Sequence, residues 1–187
     1  MSNWFADHMR KVHILYVSPD WAKRRGERFD ARRLADSLAE ARVDCVQFYC
    51  KDHHGICYYP CTTGLPYEFD AIGPMVEACH EVGVKFMAYF SVGFDNYALG
   101  LHRDWIHVKP DGESWRMGPF YFGCLASPYG EFSLAQLDQL AAAYPIDGVW
   151  LDIIPVAWRD YEKPVYGWWH GELSHVCHCV HCHRRFY

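Results

Sequence analysis

The sequence lacks the features that would assign it to three large classes of protein. Its 187 residues contain no apolar run of membrane-spanning length, so we expect no association with a membrane. A net charge of -5 with evenly mixed signs leaves no basic patch of the kind that nucleic acid requires. Residues 1–10 include Trp4, Asp7 and His8 where a secretory signal would have an apolar core, so we expect a cytoplasmic protein.

The composition indicates one globular domain with a large core. Because 51% of the 187 residues are hydrophobic, the chain can bury most of its apolar side chains. Nine cysteines are an odd number, and in a reducing cytoplasm metal ligation or plain burial explains them better than disulfides. Aromatic residues make up 17% of the chain, which slightly favours a sugar-binding cleft, although core packing accounts for most aromatic side chains.

Apolar segments alternate with amphipathic ones along most of the chain. This alternation predicts β-loop-α units, and therefore a parallel sheet covered by helices. The third helix is expected to turn Leu134, Leu137, Leu140 and Ala141 inward. Residues 98–128 show no clear periodicity, and a loop of that length is usually functional. We predict strands at Val12–Ser18, Cys45–Cys50, Val84–Ser91 and Ile146–Ile154, and helices at Ala31–Arg42, at 71–82 after the cap Asp70, and at Glu131–Tyr144.

The number of β-loop-α units predicts the first half of a barrel. A (β/α)₈ barrel of the TIM type needs about 250 residues, and the chain contains only about four such units within residues 1–187. An unpaired half-sheet would expose strand edges and apolar surface, so we expect either a homo-oligomer or a missing C-terminal half-barrel. The alternative is a small open α/β sheet that is complete in itself.

Polar residues stand where the predicted strands end, at the edge where ligands of parallel sheets gather. Asp52, His53 and His54 follow the second predicted strand, and Asp95 lies in the loop after the third predicted strand. The fourth strand carries Asp152 within an otherwise apolar run, and a charge there is expensive to bury unless it is paired or used. The competing interpretation of Asp152 is a structural carboxylate that caps the following loop.

Trp150 and Asp152 should share one face of the fourth strand because strand side chains alternate with a period of two. The carboxylate would then lie beside an indole ring. That pairing suits a nucleophile that attacks an anomeric carbon while an aromatic wall contacts the sugar ring. Tyr89 is a further candidate for a ring that stacks on the sugar.

These segments resemble the α-L-fucosidases and the family called hypothetical glycosyl hydrolase 6. Lys51-Asp52-His53-His54-Gly55-Ile56 is similar to a permuted form of the fucosidase Lys-His-His-Asp-Gly-Phe motif, and Trp150-Leu151-Asp152 is similar to their Trp-Asn-Asp segment. The hypothetical glycosyl hydrolase 6 family is the closer of the two over nearly the whole chain, including Gln47-Phe48-Tyr49 and Tyr89-Phe90-Ser91-Val92-Gly93.

The resemblance implies a glycoside hydrolase with a carbohydrate substrate, represented by the N-terminal half of its catalytic domain. It implies Asp152 as the nucleophile, Trp150 as a ring contact, and His53 and His54 as ligands of sugar hydroxyls. The Asp precedes the His pair here instead of following it, so the hydroxyl that each histidine contacts is left open. The general acid of the family lies beyond the fourth strand, and Asp20, Asp52 and Asp95 are the only candidates at loop ends within the chain.

Two other functions are compatible with the same residues. In β-galactosidases of related fold, the carboxylate after the fourth strand is the acid/base, so Asp152 could instead be the proton donor. A different class of function is a non-catalytic module that binds carbohydrate, or that assembles through its open edge with support from zinc.

Three cysteines near the C-terminus have the spacing of a metal site. Cys177, Cys179 and Cys182 can converge on one Zn²⁺, but a tetrahedral site needs a fourth ligand from elsewhere. The run from Cys124 to Tyr129 resembles the segment of β-galactosidases that belongs to a four-cysteine zinc cluster, which implies Cys124 as that ligand. His175 and Cys61 are alternatives. We therefore expect a structural zinc and a zinc-binding loop region at residues 155–187, against the alternatives of a chance cluster or a disulfide.

Overall fold

A computed structural model describes residues 4–15, 26, 28–154 and 177–186 of the chain. Several sequence predictions fall outside these residues: the second half of the predicted Val12–Ser18 strand, Asp20, His175 and most of the predicted zinc-binding loop region. The described helices are α1 (Trp4–Asp7), α2 (Ala31–Glu40), α3 (Ile72–Glu81), α4 (Asn96–Leu101), α5 (Pro128–Ala143) and α6 (Val180–Phe186), with a 3₁₀ turn at Arg103–Trp105. The described strands are β1 (Lys11–Ile14), β2 (Cys45–Lys51), β3 (Ile56–Cys57), β4 (Leu65–Pro66), β5 (Lys85–Ser91), β6 (Arg116–Met117), β7 (Phe120–Tyr121) and β8 (Gly148–Asp152).

The four long strands form a parallel sheet in chain order, β1-β2-β5-β8. Each is followed by an excursion that contains a helix before the next strand begins, which is the pattern that the apolar segments predict. The fold is therefore a mixed α/β arrangement with a parallel sheet and covering helices. These four strands point the same way, so the C-terminal ends of β2, β5 and β8 lie at one edge of the sheet. The short strand β3 pairs antiparallel with β2 and parallel with β4.

The core fills the space between the sheet and helices α2 and α3. Phe48 and Phe86 lie on neighbouring strands with ring centroids 6.0 Å apart, and both are fully buried. Ala35 of α2 and Met75 of α3 are also fully buried in this core. Helices α2 and α3 start within one residue of their predicted positions. The Asp30 carboxylate accepts from Arg33 N at 2.9 Å, and Asp70 caps the backbone N–H groups at the start of α3.

The long segment between β5 and α5 contains short elements that the sequence pattern did not show. After α4 and the 3₁₀ turn, the two-residue strands β6 and β7 form an antiparallel hairpin. Isolated bridges join Phe94 to Phe122 and Ile106 to Gly123, which tie the hairpin back to the loop after β5. Residues 98–128 thus form an ordered cover next to the C-terminal edge of the sheet.

Helix α5 differs from its prediction in its start and in its buried face. It begins at Pro128, capped by the Ser127 side chain, and not at Glu131. Leu140 is buried as predicted, but Leu134 is 56% exposed and Ala141 is exposed. The helix instead buries Tyr129, Ser133 and Gln136, because polar contacts with the segment after β3 determine which face turns inward.

None of the helices in the described part of the chain combines the length and hydropathy that crossing a membrane requires.

Candidate active site

The loop after β2 is built around a buried carboxylate. Asp52 Oδ1 accepts from the backbone N–H groups of His54 at 2.9 Å and Ile56 at 3.0 Å, and Tyr58 Oη donates to Asp52 Oδ2 at 2.8 Å. The side chain is fully buried. Burial raises the pKa of Asp52, while the three hydrogen bonds act in the opposite direction. Asp52 therefore holds the turn that presents the His pair.

A buried ion pair lies beneath the same turn. Lys51 Nζ is 3.0 Å from Asp95 Oδ2, and both side chains have no exposed surface. Lys51 also donates to the carbonyl oxygen of Ser91 at 2.9 Å, and Asp95 caps helix α4 by accepting from Ala98 N at 2.8 Å. Burial is the largest single influence on Lys51 and lowers its pKa, but the nearby acidic groups, Asp95 first among them, together raise the pKa by more, so that it is raised overall. The pair joins the end of β2 to the loop after β5.

Glycine is required between these two carboxylates. Gly55 has a φ of +92°, and a Cβ at this position would lie 2.1 Å from Asp95 Oδ1. A side chain would therefore both strain the backbone and displace the buried carboxylate. This explains the glycine that follows the His pair in the motif.

His53 is oriented by the end of β5. Its Nδ1 lies 2.9 Å from Ser91 Oγ, and Ser91 Oγ donates to the carbonyl oxygen of Phe94 at 3.2 Å. Because Ser91 uses its hydroxyl proton in the bond to Phe94, its oxygen accepts from His53 Nδ1–H. The other ring nitrogen, His53 Nε2, therefore keeps its lone pair. Burial lowers the pKa of His53, which keeps the ring neutral near pH 7. A neutral Nε2 can accept a hydrogen bond from a sugar hydroxyl.

Aromatic side chains line the cleft around both histidines. Phe120 on the hairpin has its ring centroid 5.4 Å from that of His53 and 5.3 Å from that of His54, edge to face in both cases. Phe120 also stacks on Phe94 at 5.2 Å. The hairpin therefore adds one wall beside the His pair.

Asp152 stands at the C-terminal end of β8, next to β5. Ser91 and Asp152 are register partners, and the Tyr89 hydroxyl donates to Asp152 Oδ2. The Tyr89 ring stacks on Tyr49 with centroids 3.9 Å apart and an angle of 5° between planes. Burial lowers the pKa of His53, whereas the charge of Asp152 raises it. The carboxylate is therefore close enough to the imidazole to interact with it electrostatically. Asp152 is only partly buried and thus remains accessible.

The backbone after Asp152 adopts a rare conformation. Ile153 has a φ of +54°, which is unusual for a β-branched residue. Its carbonyl oxygen would lie 2.1 Å from a Cβ at Gly93, so only glycine fits at that position of the neighbouring loop. Backbone strain of this kind tends to occur at functional sites, and here it immediately follows the candidate nucleophile.

The structure brings most of the predicted site residues to one edge of the sheet, but some of them are exposed and others are buried. His53, Tyr89 and Asp152 are neighbours, Tyr89 being only 2% exposed, and His54 contacts the same Phe120 ring as His53. Trp150 lies on the same strand face as Asp152 and is 45% exposed. Asp52 and Asp95 have no exposed surface and their oxygens face protein partners, so the geometry gives them a supporting position behind the histidines.

Sequence reasoning did not identify the side chains that hold this cleft together. Tyr58, Ser91, Phe120 and Tyr129 were not predicted as site residues, although each contacts a predicted one or its support. Tyr129 Oη, for example, lies 3.5 Å from Lys51 Nζ and donates to the carbonyl oxygen of Val92. The length of the 98–128 segment was a usable signal for Phe120; for the others the sequence offers none.

The four cysteines predicted as metal ligands also come together. The sulfur atoms of Cys124, Cys177, Cys179 and Cys182 all lie within 4.8 Å of one another, and all four side chains are buried. Cys61 is not part of this group, and His175 lies outside the described residues. All nine cysteines are free thiols, so the alternative of a disulfide finds no support.

Comparison with solved structures shows similarity to α-L-fucosidases. Isoenzyme 2 from Paenibacillus thiaminolyticus is 26% identical with a TM-score of 0.77, over 94% of this chain and 25% of that one. An α-L-fucosidase from Bacteroides thetaiotaomicron is 28% identical with a TM-score of 0.51, over 66% of this chain and 27% of that one. The Thermotoga maritima enzyme in complex with fucose, at 20% identity and a TM-score of 0.51, supports the fold alone, over 67% of this chain and 29% of that one.

The chain therefore spans about a quarter of the length of these solved fucosidases. No curated protein sequence matches it. These matches do not bear on the resemblance of the Cys124 segment to β-galactosidases, which stays a prediction.

A family profile described as hypothetical glycosyl hydrolase 6 matches residues 30–153, from the cap of α2 to the residue after Asp152. The match covers β2, β5 and β8 and every residue of the cleft described above. The chain belongs to the hypothetical glycosyl hydrolase 6 family.

Proposed function

We propose that the protein is a glycoside hydrolase of the α-L-fucosidase type in which Asp152 is the nucleophile. The observation that carries this proposal is the position of Asp152: an accessible carboxylate at the end of a parallel strand, facing an oriented imidazole and an aromatic wall. Family membership and the similarity to the Paenibacillus fucosidase support the reaction class.

The proposed chemistry is a double displacement. A carboxylate oxygen of Asp152 attacks the anomeric carbon as the glycosidic C–O bond breaks, and a proton from an acid goes to the leaving oxygen. Water then releases the sugar from the covalent ester with the opposite proton transfer. The Tyr89 hydroxyl, which donates to Oδ2, orients the carboxylate so that its other oxygen, Oδ1, faces the substrate.

The histidines would bind the sugar hydroxyls. His53 presents a neutral Nε2 acceptor because Ser91 holds its Nδ1–H, and His54 contacts the same Phe120 ring. Trp150 is the proposed ring contact, whereas Tyr89, which is 2% exposed and stacked on Tyr49, orients Asp152 and does not contact the sugar. Asp52 and Asp95 act behind this surface, where they hold the loop and the ion pair in place.

The proposed proton donor is neither Asp52 nor Asp95 but a carboxyl group outside the described residues. Asp52 and Asp95 are fully buried and partnered, so neither can protonate a leaving group as the chain is folded. β8 has only β5 beside it among the described strands, and Trp150 and Leu151 are 45% and 44% exposed. We infer that the described sheet is the first half of a (β/α)₈ barrel and that a C-terminal half or a second copy of the chain completes it.

Azide rescue of Asp152→Gly in the intact protein tests the role of Asp152. With an aryl α-L-fucoside as substrate, the variant should lose activity on the order of 10⁴-fold or more. Azide should restore turnover and yield a fucosyl azide of inverted anomeric configuration, because the anion enters the space of the missing nucleophile. Asp147→Asn is the matched control, since Asp147 lies at the opposite end of the same strand, where it binds Lys85. This control should keep its activity.

Two results would replace the proposal with a named alternative. A glycosyl azide of retained configuration, together with cleavage of an aryl β-galactoside, would make Asp152 the acid/base of a β-galactosidase-like enzyme. An intact protein that binds sugars but hydrolyses neither glycoside would instead be a carbohydrate-binding module.

A further inference from the structure

The sulfur cluster has the dimensions of a tetrahedral metal site. With Zn–S bonds of about 2.3 Å, the sulfurs of a regular tetrahedron are about 3.8 Å apart. Cys124 Sγ and Cys182 Sγ are 3.4 Å apart, and all four sulfurs lie within 4.8 Å of one another. A disulfide would instead bring two sulfurs to about 2.05 Å and leave the other two apart. The four sulfurs thus surround one point.

Two backbone N–H groups donate to one of the four sulfurs. The backbone N–H groups of Val108 and Cys179 both point at Cys177 Sγ, at 3.5 and 3.4 Å. Such N–H···S hydrogen bonds typically surround metal-bound sulfur. The four thiols are also the only group of three or more potential metal ligands at this spacing in the described part of the chain.

We propose that Cys124, Cys177, Cys179 and Cys182 bind one Zn²⁺ and that this ion anchors residues 177–186 to the segment between β5 and α5. Four sulfur ligands at tetrahedral spacing select zinc or iron among the first-row metals. Because four protein ligands close the coordination sphere, the ion has no open position for water or substrate and is structural. This site is separate from Asp152 and takes no part in bond cleavage.

Contacts around the cluster show what the ion would hold together. His178 N donates to the carbonyl oxygen of Val108 at 2.9 Å, and His181 Nε2 lies 2.9 Å from Asp104 Oδ2. On the other side, Cys124 N donates to the carbonyl oxygen of Trp105 at 2.8 Å. The Asp104 carboxylate is 54% exposed, so its contact with His181 contributes little to stability, and the metal would supply most of the energy that anchors the segment.

The anchor also connects with the aromatic wall of the cleft. Cys124 directly follows Gly123, whose N–H donates to the carbonyl oxygen of Gly93 at 2.8 Å, and His107 N donates to that of Phe122 at 2.7 Å. These bonds hold the hairpin that carries Phe120 against His53. A role of zinc in shaping the cleft rests on the proposed function, whereas the metal site itself does not.

Metal analysis of the purified protein provides the test. The intact protein should contain about one Zn²⁺ per chain, and Cys124→Ser should lose nearly all of it. Cys79→Ala is the matched control: this thiol is fully buried in α3, far from the cluster in the fold, and the variant should keep its zinc. Unchanged zinc in Cys124→Ser, or iron in place of zinc, would overturn the proposal.

Cobalt substitution tests the same metal site if the Cys124→Ser variant does not fold. After zinc is exchanged for Co²⁺ in the intact protein, four thiolates should produce sulfur-to-cobalt charge-transfer bands and intense visible bands of tetrahedral cobalt. Weak bands of octahedral cobalt, or a protein that takes up no metal, would overturn the proposal. Neither readout depends on glycosidase activity, so failure of the metal site and failure of the proposed function are distinguishable.

Discussion

The two sides of the candidate cleft are built in opposite ways. On the side of β2 and β5, Lys51, Asp52, Ser91 and Asp95 have no exposed surface, and each is held by side chains or backbone from another segment. On the side of β8, Val149, Trp150 and Leu151 are 37%, 45% and 44% exposed. The side of β2 and β5 is enclosed by described residues. On the other side, β8 pairs with β5 and with no second strand among the described residues.

This difference shows which part of the site the chain can organise by itself. A buried and fully partnered network holds His53 in one orientation before any substrate arrives. Asp152 is held by the Tyr89 hydroxyl and by its pairing with β5, but its other flank lacks a strand among the described residues. The contrast predicts that substitutions cost most on the β2–β5 side and least on the β8 side.

The largest effect is expected for Lys51→Met. The substitution leaves Asp95 as an unpaired charge in a site without solvent, which should lower the free energy of unfolding by about 3–5 kcal/mol. The measurement is urea unfolding followed by circular dichroism. The double variant Lys51→Met, Asp95→Asn should recover part of the loss, because it removes the stranded charge.

Lys85→Met is the control for the buried pair. Lys85 binds Asp147 at 2.7 Å, but 38% of its side chain is exposed, so the loss should be below about 1 kcal/mol. If Lys51→Met and Lys85→Met lowered the free energy of unfolding equally, the burial of the Lys51–Asp95 pair would not make it more important for stability than the partly exposed Lys85–Asp147 pair.

The next largest effect is expected for Tyr58→Phe. This change removes the hydroxyl that donates to Asp52 Oδ2 and leaves a buried carboxylate oxygen without that partner. Hydrogen bonds to charged groups contribute about 1.5–3 kcal/mol, and urea unfolding should show a loss of that size. Tyr97→Phe is the control, since its side chain is 39% exposed, and it should change stability by less than about 0.5 kcal/mol. A loss no larger than that of the control would contradict a buried anchor at Asp52.

The sequence was sufficient for features that depend on local pattern. The strands Cys45–Lys51, Lys85–Ser91 and Gly148–Asp152 fall within two residues of their predicted ends, because each of the three is an apolar run in the sequence. The spacing of Cys177, Cys179 and Cys182 and the resemblance that implied Cys124 also led to the group that the fold assembles. The metal itself stays a prediction.

Features that depend on contacts between distant segments were not predictable. The buried face of α5 was wrong at Leu134 and Ala141, since Gln136 turns inward to contact the segment around Cys57 and Tyr59. The earlier start of α5 was readable in principle, as Ser127 and Pro128 form a cap and first position. The approach of Phe120 to the His pair follows from the path of residues 98–128, which shows no periodicity.

A smaller effect is expected in the pH dependence of stability. Burial lowers the pKa of His53 in the folded protein, against an unfolded value near 6.5. Between those two values the unfolded chain binds more protons, so the free energy of unfolding should fall as pH drops below about 6.5, by at most about 1.4 kcal/mol per pH unit. Below the folded pKa this contribution is lost completely. Urea unfolding across this range should show a shallower pH dependence in His53→Gln than in the unsubstituted protein.

His102→Gln serves as the control for this titration. His102 is exposed and stacks on Trp105 with centroids 3.9 Å apart, away from the Asp152 environment. This variant should keep the pH dependence of the unsubstituted protein. If the free energy of unfolding depended on pH identically in His53→Gln and in the unsubstituted protein, His53 would not be buried in the way that the comparison of the two sides predicts.

The smallest effect is expected for Leu151→Ala in a chain whose β8 is uncovered, and the size of the effect in the intact protein decides what covers β8. Leu151 and Phe90 are register partners on neighbouring strands, yet Phe90 is fully buried and Leu151 is 44% exposed. Phe90→Ala should lower the free energy of unfolding by about 3–5 kcal/mol, whereas Leu151→Ala should lower it by less than about 1 kcal/mol if β8 is uncovered. If a second copy or the other half of a barrel packs there, Leu151→Ala should instead cost about 2–5 kcal/mol. A cost that rises with protein concentration would identify the second copy, because only association between chains makes stability depend on concentration.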